Sequence, residues 1–153
     1  MANGATKFAA SSLLLLNFSM YVIVSALGGW AVNRAIDYGF IIGPELNLPA
    51  HFVPIFFPMG NSATGFFVTF ALIAGVVGAS SCIFGMIHLR SWSTKSSPAA
   101  ATAAIIAWSL TLLAMGFACK EIGIQYRNAR LKTLEAFTMI LSATQLLYIW
   151  AIR

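Results

Sequence analysis

Four stretches of this chain carry no Asp, Glu, Lys or Arg: residues 8–33, 46–89, 96–119 and 136–152. A bilayer core of roughly 30 Å takes about 20 helical residues to cross, within a range of about 17–25. The first and third runs fit one crossing each. The second is too long for one, and Pro49, Pro54 and Pro58 break its first part, so only its later part reads as a regular span. The fourth is short and borrows a turn from Thr133. The sequence therefore predicts an all-α integral membrane protein, a four-transmembrane-helix bundle with spans at about 9–30, 64–88, 98–119 and 133–152. One long first loop, 31–63, is expected to be ordered, and 1–153 to form a single membrane domain.

Composition agrees. Hydrophobic residues make up 59% of the chain and charged residues 8%, against about 25% charged in an ordinary soluble domain. Nine Lys/Arg and four Asp/Glu could not cover a soluble fold of 153 residues. Disorder needs the opposite balance. The net charge of +5 reads as membrane-flanking Lys and Arg. No basic cluster stands apart from an apolar segment, so no nucleic-acid partner is expected. Lys7 with Val24-Ser25-Ala26 imitates a cleaved signal, but the run continues through Trp30 and is too long for one.

With four spans, Lys7, Arg90, Lys95 and Arg153 share one side, and Arg34, Lys120, Arg127, Arg130 and Lys132 the other. This gives no positive-inside bias. Both termini are taken as cytoplasmic. Asp37, Glu45, Glu121 and Glu135 all fall on the second side.

The second span carries small residues at helical spacing: Ala71, Gly75 and Ala79, then Gly78 with Cys82, and Ser81 with Gly85. Helices in lipid have no hydrophobic drive toward one another, and such stripes let backbones approach. This helix is expected to be the most buried, with the stripe packing inside the chain. Cys82 and Cys119 fall toward opposite membrane faces, too far apart for a disulfide. There is no CxxC and no His/Cys cluster, so neither metal nor cofactor is expected.

No ionisable Asp, Glu, Lys or Arg lies deep in a span, which argues against an ion-coupled pump. The amides Asn17 and Gln145 are the polar groups most in need of partners there. They serve either as interhelical bonds or as lining for a path. Trp30, Trp92, Tyr126, Tyr148 and Trp150 lie near span ends, as in interfacial belts. The first loop holds Arg34, Asp37, Glu45 and His51. Arg34 and Asp37 can pair if the first helix continues past Trp30. As a catalytic set these residues lack a nucleophile elbow or phosphate loop, and no enzyme is expected. The basic loop Lys120–Lys132 suits anionic lipid headgroups or an acidic partner surface.

Longer blocks carry a resemblance. Asn33-Arg34-Ala35-Ile36-Asp37, Pro49-Ala50-His51-Phe52, Phe57-Pro58-Met59-Gly60-Asn61 and Ala63-Thr64-Gly65-Phe66-Phe67 resemble the abscisic-acid-induced plasma-membrane protein family of plants, first named from wheat. Ala118-Cys119-Lys120-Glu121-Ile122, Arg127-Asn128-Ala129-Arg130-Leu131 and Thr133-Leu134-Glu135-Ala136-Phe137 do the same, so the likeness covers nearly the whole chain. It implies a four-span plasma-membrane protein of abscisic acid, drought, cold and seed-dormancy responses, with abscisic acid uptake proposed for members. It supplies no binding residues. Two functions stay open. One is a facilitator for a small weak acid, with Arg34 or Lys120 gathering the carboxylate, His51 beside them, and Asn17 and Gln145 lining the way. Four short helices scarcely enclose a path, so this reading implies a homo-oligomer. The other is a structural tetraspan that organises lipids or a membrane-protein partner under stress.

Overall fold

A computed structural model describes residues 4–39, 62–91, 97–123 and 129–152. They form four helices: α1 (Gly4–Gly39), α2 (Ser62–Ser91), α3 (Ser97–Ile122) and α4 (Ala129–Ile152). Each contains a stretch long and apolar enough to cross a membrane: Thr6–Ile36, Ala63–Arg90, Pro98–Ile122 and Ala129–Ile152. Each helix packs against its neighbours in sequence, and α4 closes the ring on α1. The four-helix membrane bundle is the fold the charge-free runs predict, and no strand occurs among the described residues. The segment 40–61, with His51 and the expected ordered loop, lies outside the described residues.

The helices outrun the expected spans. α1 continues through 31–39, which sequence assigned to the first loop, so Arg34 stands on a helix. At 36 residues this helix is roughly 54 Å long, well beyond the hydrocarbon. α4 begins at Ala129, not Thr133, so Arg130 and Lys132 are helical rather than loop residues. Pro98 falls in the first turn of α3, where its missing N–H removes no helix bond.

α2 is the most enclosed helix: 44% of its spanning window is buried, against 28–33% in the others. Its small residues explain why. A Cβ on Gly75 would stand 2.5 Å from Ser25 Oγ, 3.0 Å from the Ser25 nitrogen and 3.1 Å from the Tyr21 carbonyl oxygen. A Cβ on Gly78 would enter the Tyr21 ring, and one on Gly85 would strike the Tyr148 hydroxyl. The α1 backbone therefore lies directly on the stripe at Gly75, while Gly78 and Gly85 make room for the side chains of Tyr21, Leu14 and Tyr148. On its other side, Phe66 and Phe70 stack on Phe117 of α3, with ring centroids 5.9 and 5.3 Å apart. Cys82 is buried and Cys119 exposed, and both are free thiols.

Candidate functional site: a polar layer inside the bundle

Hydroxyls inside lipid must find an acceptor. Most here turn back on their own helix. Ser19, Thr69, Ser80, Ser109 and Thr144 each donate to the carbonyl four residues earlier, at 2.9–3.0 Å. That bond leaves them no demand on another helix. A few groups do cross between helices. Asn17 Nδ2 on α1 donates to Gln145 Oε1 on α4 at 2.9 Å. Gln145 Nε2 reaches the Ala104 carbonyl on α3 at 3.4 Å. Tyr21 and Thr111 share a hydroxyl bond of 3.0 Å between α1 and α3. Trp108 Nε1 donates to the Ser142 carbonyl at 3.0 Å, joining α3 to α4.

Register places these bonds together. Gly78 lies against Tyr21 and Gly85 against Leu14, so Ser81 between them stands at the height of Asn17. Asn17, Ser81, Ala104 and Gln145, one from each helix, thus form a layer across the core. Along their own helices Tyr21 lies about one turn and Thr111 about two turns to one side of it, and Tyr148 about one turn to the other. Asn17, Gln145, Tyr21, Thr111 and Tyr148 are all essentially sealed from outside. Yet three atoms of this group, Asn17 Oδ1, Ser81 Oγ and Tyr148 OH, have no hydrogen-bond partner. Buried orphans of this kind each cost about 1–3 kcal/mol. The layer is uncharged and has hydrogen-bonding capacity to spare. Tyr148 is a correction to the sequence reading: it belongs to the core, not to an interfacial belt. Trp150 is 80% exposed and occupies the belt position instead.

The half of the bundle nearer the first loop is closed by apolar packing. Val24, Phe67, Ala71, Ala114 and Leu134 are all buried there, with the Glu135 carboxyl and the Thr138 hydroxyl buried beside them on α4. Above this plug, Thr64 donates to Glu121 Oε1 at 2.6 Å. Glu121 is fully buried, and its Oε2 has no hydrogen-bond partner. An acidic group ending a helix opposes that helix's dipole, but Glu121 meets the positive start of α2, which offsets the cost. Arg130 lies over the Trp30 ring at 4.3 Å and ties α4 to α1. Of the sequence candidates, Asn17 and Gln145 meet directly. Arg34 and Lys120 are exposed at the loop end, beyond the apolar plug. His51 lies outside the described residues. Among the described residues no three His, Cys, Asp or Glu group as metal ligands.

Replacing Thr64 with Val keeps its shape and removes the donor to Glu121. The melting temperature in detergent is expected to fall, for a loss of about 1–3 kcal/mol. Glu121→Gln keeps an acceptor for Thr64 and should cost less. A Thr64→Val protein that melts like the parent would show that this contact does not join α2 to α3.

Comparison with known proteins places the chain. The AWPM-19-like family model matches residues 15–153. The chain belongs to that family. The rice (Oryza sativa subsp. japonica) protein named Membrane protein PM19L is 45% identical over 147 residues, covering 95% of this chain and 78% of that protein. No solved structure matches the chain. The match begins at Leu15 and so contains every residue of the polar layer. Together with the four apolar helices, the family makes this a multi-pass membrane protein.

Proposed function

We propose that this AWPM-19-like protein eases passage of a small amphipathic weak acid across the plasma membrane, with both termini cytoplasmic. Abscisic acid is the acid that the family resemblance suggests, in drought, cold and dormancy responses. The observation that carries this reading is the polar layer: open acceptors and hydroxyls on Asn17, Ser81 and Tyr148, in a layer with no charged member, the buried carboxylates Glu121 and Glu135 lying nearer the first-loop end. Such a layer can hydrogen-bond a neutral carboxyl and hydroxyls, and it has no fixed charge to trap an ion or to couple to one. A neutral acid already enters lipid, so the protein need only lower the cost of burying its polar atoms. The apolar plug supports a second reading, a structural tetraspan that organises lipids or a membrane-protein partner. Uptake of labelled abscisic acid by liposomes containing only this protein separates the two: uptake no faster than in protein-free liposomes leaves the structural role.

Charge at the loop end gives a sharper test. Arg34 and Lys120 are exposed there, and cations near a low-dielectric surface concentrate anions locally. Arg34→Ala is expected to slow uptake more at neutral pH, where a weak acid is mostly anionic, than at acidic pH, where the neutral form enters unaided. Lys120→Ala, among other basic residues, should act more weakly. An equal effect of Arg34→Ala at both pH values would remove Arg34 from the path.

A further inference from the structure

At the end of the bundle bearing the chain termini, the start of α1 and the end of α2 frame an open groove of about 530 Å³. Lys7 and Arg90 stand at its rim with the Ser11 hydroxyl, and Phe8, Leu15 and Met86 form apolar walls. Lys7 is the second residue of the spanning part of α1, and Arg90 is the last residue of that of α2. Both cations therefore sit at headgroup depth. Leu15 lies eight residues below Lys7, about 12 Å along the helix, within reach of acyl chains. Polar rim above and apolar wall below is the layout of a single amphiphile.

Charge decides which amphiphile. The chain's four acidic residues are Asp37, Glu45, Glu121 and Glu135. None falls in the segments that build this end, so no Asp or Glu side chain stands there to repel an anionic headgroup. Arg90, with His88, also complements the negative end of α2, which explains Arg90 by itself. Lys7 lies in the first turns of α1, where a cation opposes the helix dipole and an anion beside it offsets that cost.

We propose that this groove binds an anionic phospholipid, with the phosphate between Lys7 and Arg90 and one acyl chain along Phe8, Leu15 and Met86. The termini end then faces the leaflet rich in anionic lipid, the cytoplasmic one. This site is independent of the transport reading, since it lies outside the core. The test uses the full chain extracted from vesicles of mixed phosphatidylserine and phosphatidylcholine, with the retained lipids counted by native mass spectrometry. Phosphatidylserine is expected to be retained over phosphatidylcholine. At about 1 kcal/mol per basic residue, Lys7→Gln should lower that preference about five-fold, and Lys7→Gln/Arg90→Gln further. Gly116→Ala, on the open face of α3 with nothing within 4 Å of an added Cβ, should leave it unchanged. Equal retention of the two lipids by the parent would overturn the proposal, as would a preference that is undiminished in the double variant or falls equally with Gly116→Ala. If the double variant fails to assemble, the parent's preference must still fall as salt rises, and a preference independent of salt would be equally fatal.

Discussion

Gly78→Leu should abolish assembly of the bundle. Even a single methyl at this position would occupy the Tyr21 ring. Tyr21 has nowhere to move, because it is fully buried and its hydroxyl is bonded to Thr111 on α3. Relief requires α1 and α2 to separate, which breaks the Tyr21–Thr111 bond and the Gly75–Ser25 contact together. Overpacking of this kind costs about 1–3 kcal/mol even for modest insertions, and leucine adds four carbons where none fits. Gly75→Leu is expected to fail in the same way, because two of its neighbours are α1 backbone atoms. Gly116→Leu is the control: it faces open space on α3, with nothing within 4 Å of an added Cβ. Size-exclusion profile and melting temperature in detergent read all three. A Gly78→Leu protein that stays monodisperse and melts like Gly116→Leu would mean that α1 and α2 do not pack through this face.

The four helices were legible because charge is expensive in hydrocarbon, so gaps between charges mark what the bilayer contains. The same signal misplaces helix ends. A charge ends the hydrocarbon but not the helix, whose backbone bonds continue into the headgroups. Arg34 therefore rides on α1, and Arg130 and Lys132 on α4, although sequence assigned them to loops. The small residues of α2 were visible as a stripe. What the stripe meets was not, because that depends on the register of α1 against α2.

The candidate site was half legible. Asn17 and Gln145 stood out as amides without an obvious partner, but their bond joins residues 128 apart and needs the closure of α4 on α1. Thr111 and Ser109 look alike in sequence and differ only in facing: Ser109 turns back to the Ile105 carbonyl on an exposed face, while Thr111 is buried and also meets Tyr21. Tyr148 was misread because its distance from the chain end suggested the interface. A glycine at position 85 opposite makes the room that draws its hydroxyl inward. The pattern that would have found it is a tyrosine on one span at the height of a glycine on another.

Asn17 and Gln145 are expected to be energetically coupled. Asn17→Leu deprives Gln145 Oε1 of its donor and leaves only the 3.4 Å bond from Nε2 to the Ala104 carbonyl. Gln145→Leu is worse placed: it strands Asn17 Nδ2 beside an Oδ1 that already has no partner. Each single change is expected to cost about 1–3 kcal/mol. The double variant removes both amides, leaves no orphan between them, and should cost less than the two singles added together. Interhelical bonds in membranes couple by about 0.6 kcal/mol on average and up to about 1.7, and this pair belongs at the upper end, because both residues are fully sealed. Unfolding in mixed micelles measures the cycle, and strict additivity would show that the amides do not share a bond. Uptake then separates structure from function. A purely structural pair predicts a double variant that is stable and fully competent in whatever the protein does. If the layer hydrogen-bonds a passing acid, the double variant recovers stability but loses uptake, since the layer has lost both amides and keeps only the Ser81 and Tyr148 hydroxyls. A stable double variant with parental uptake would take the polar layer out of the transport path.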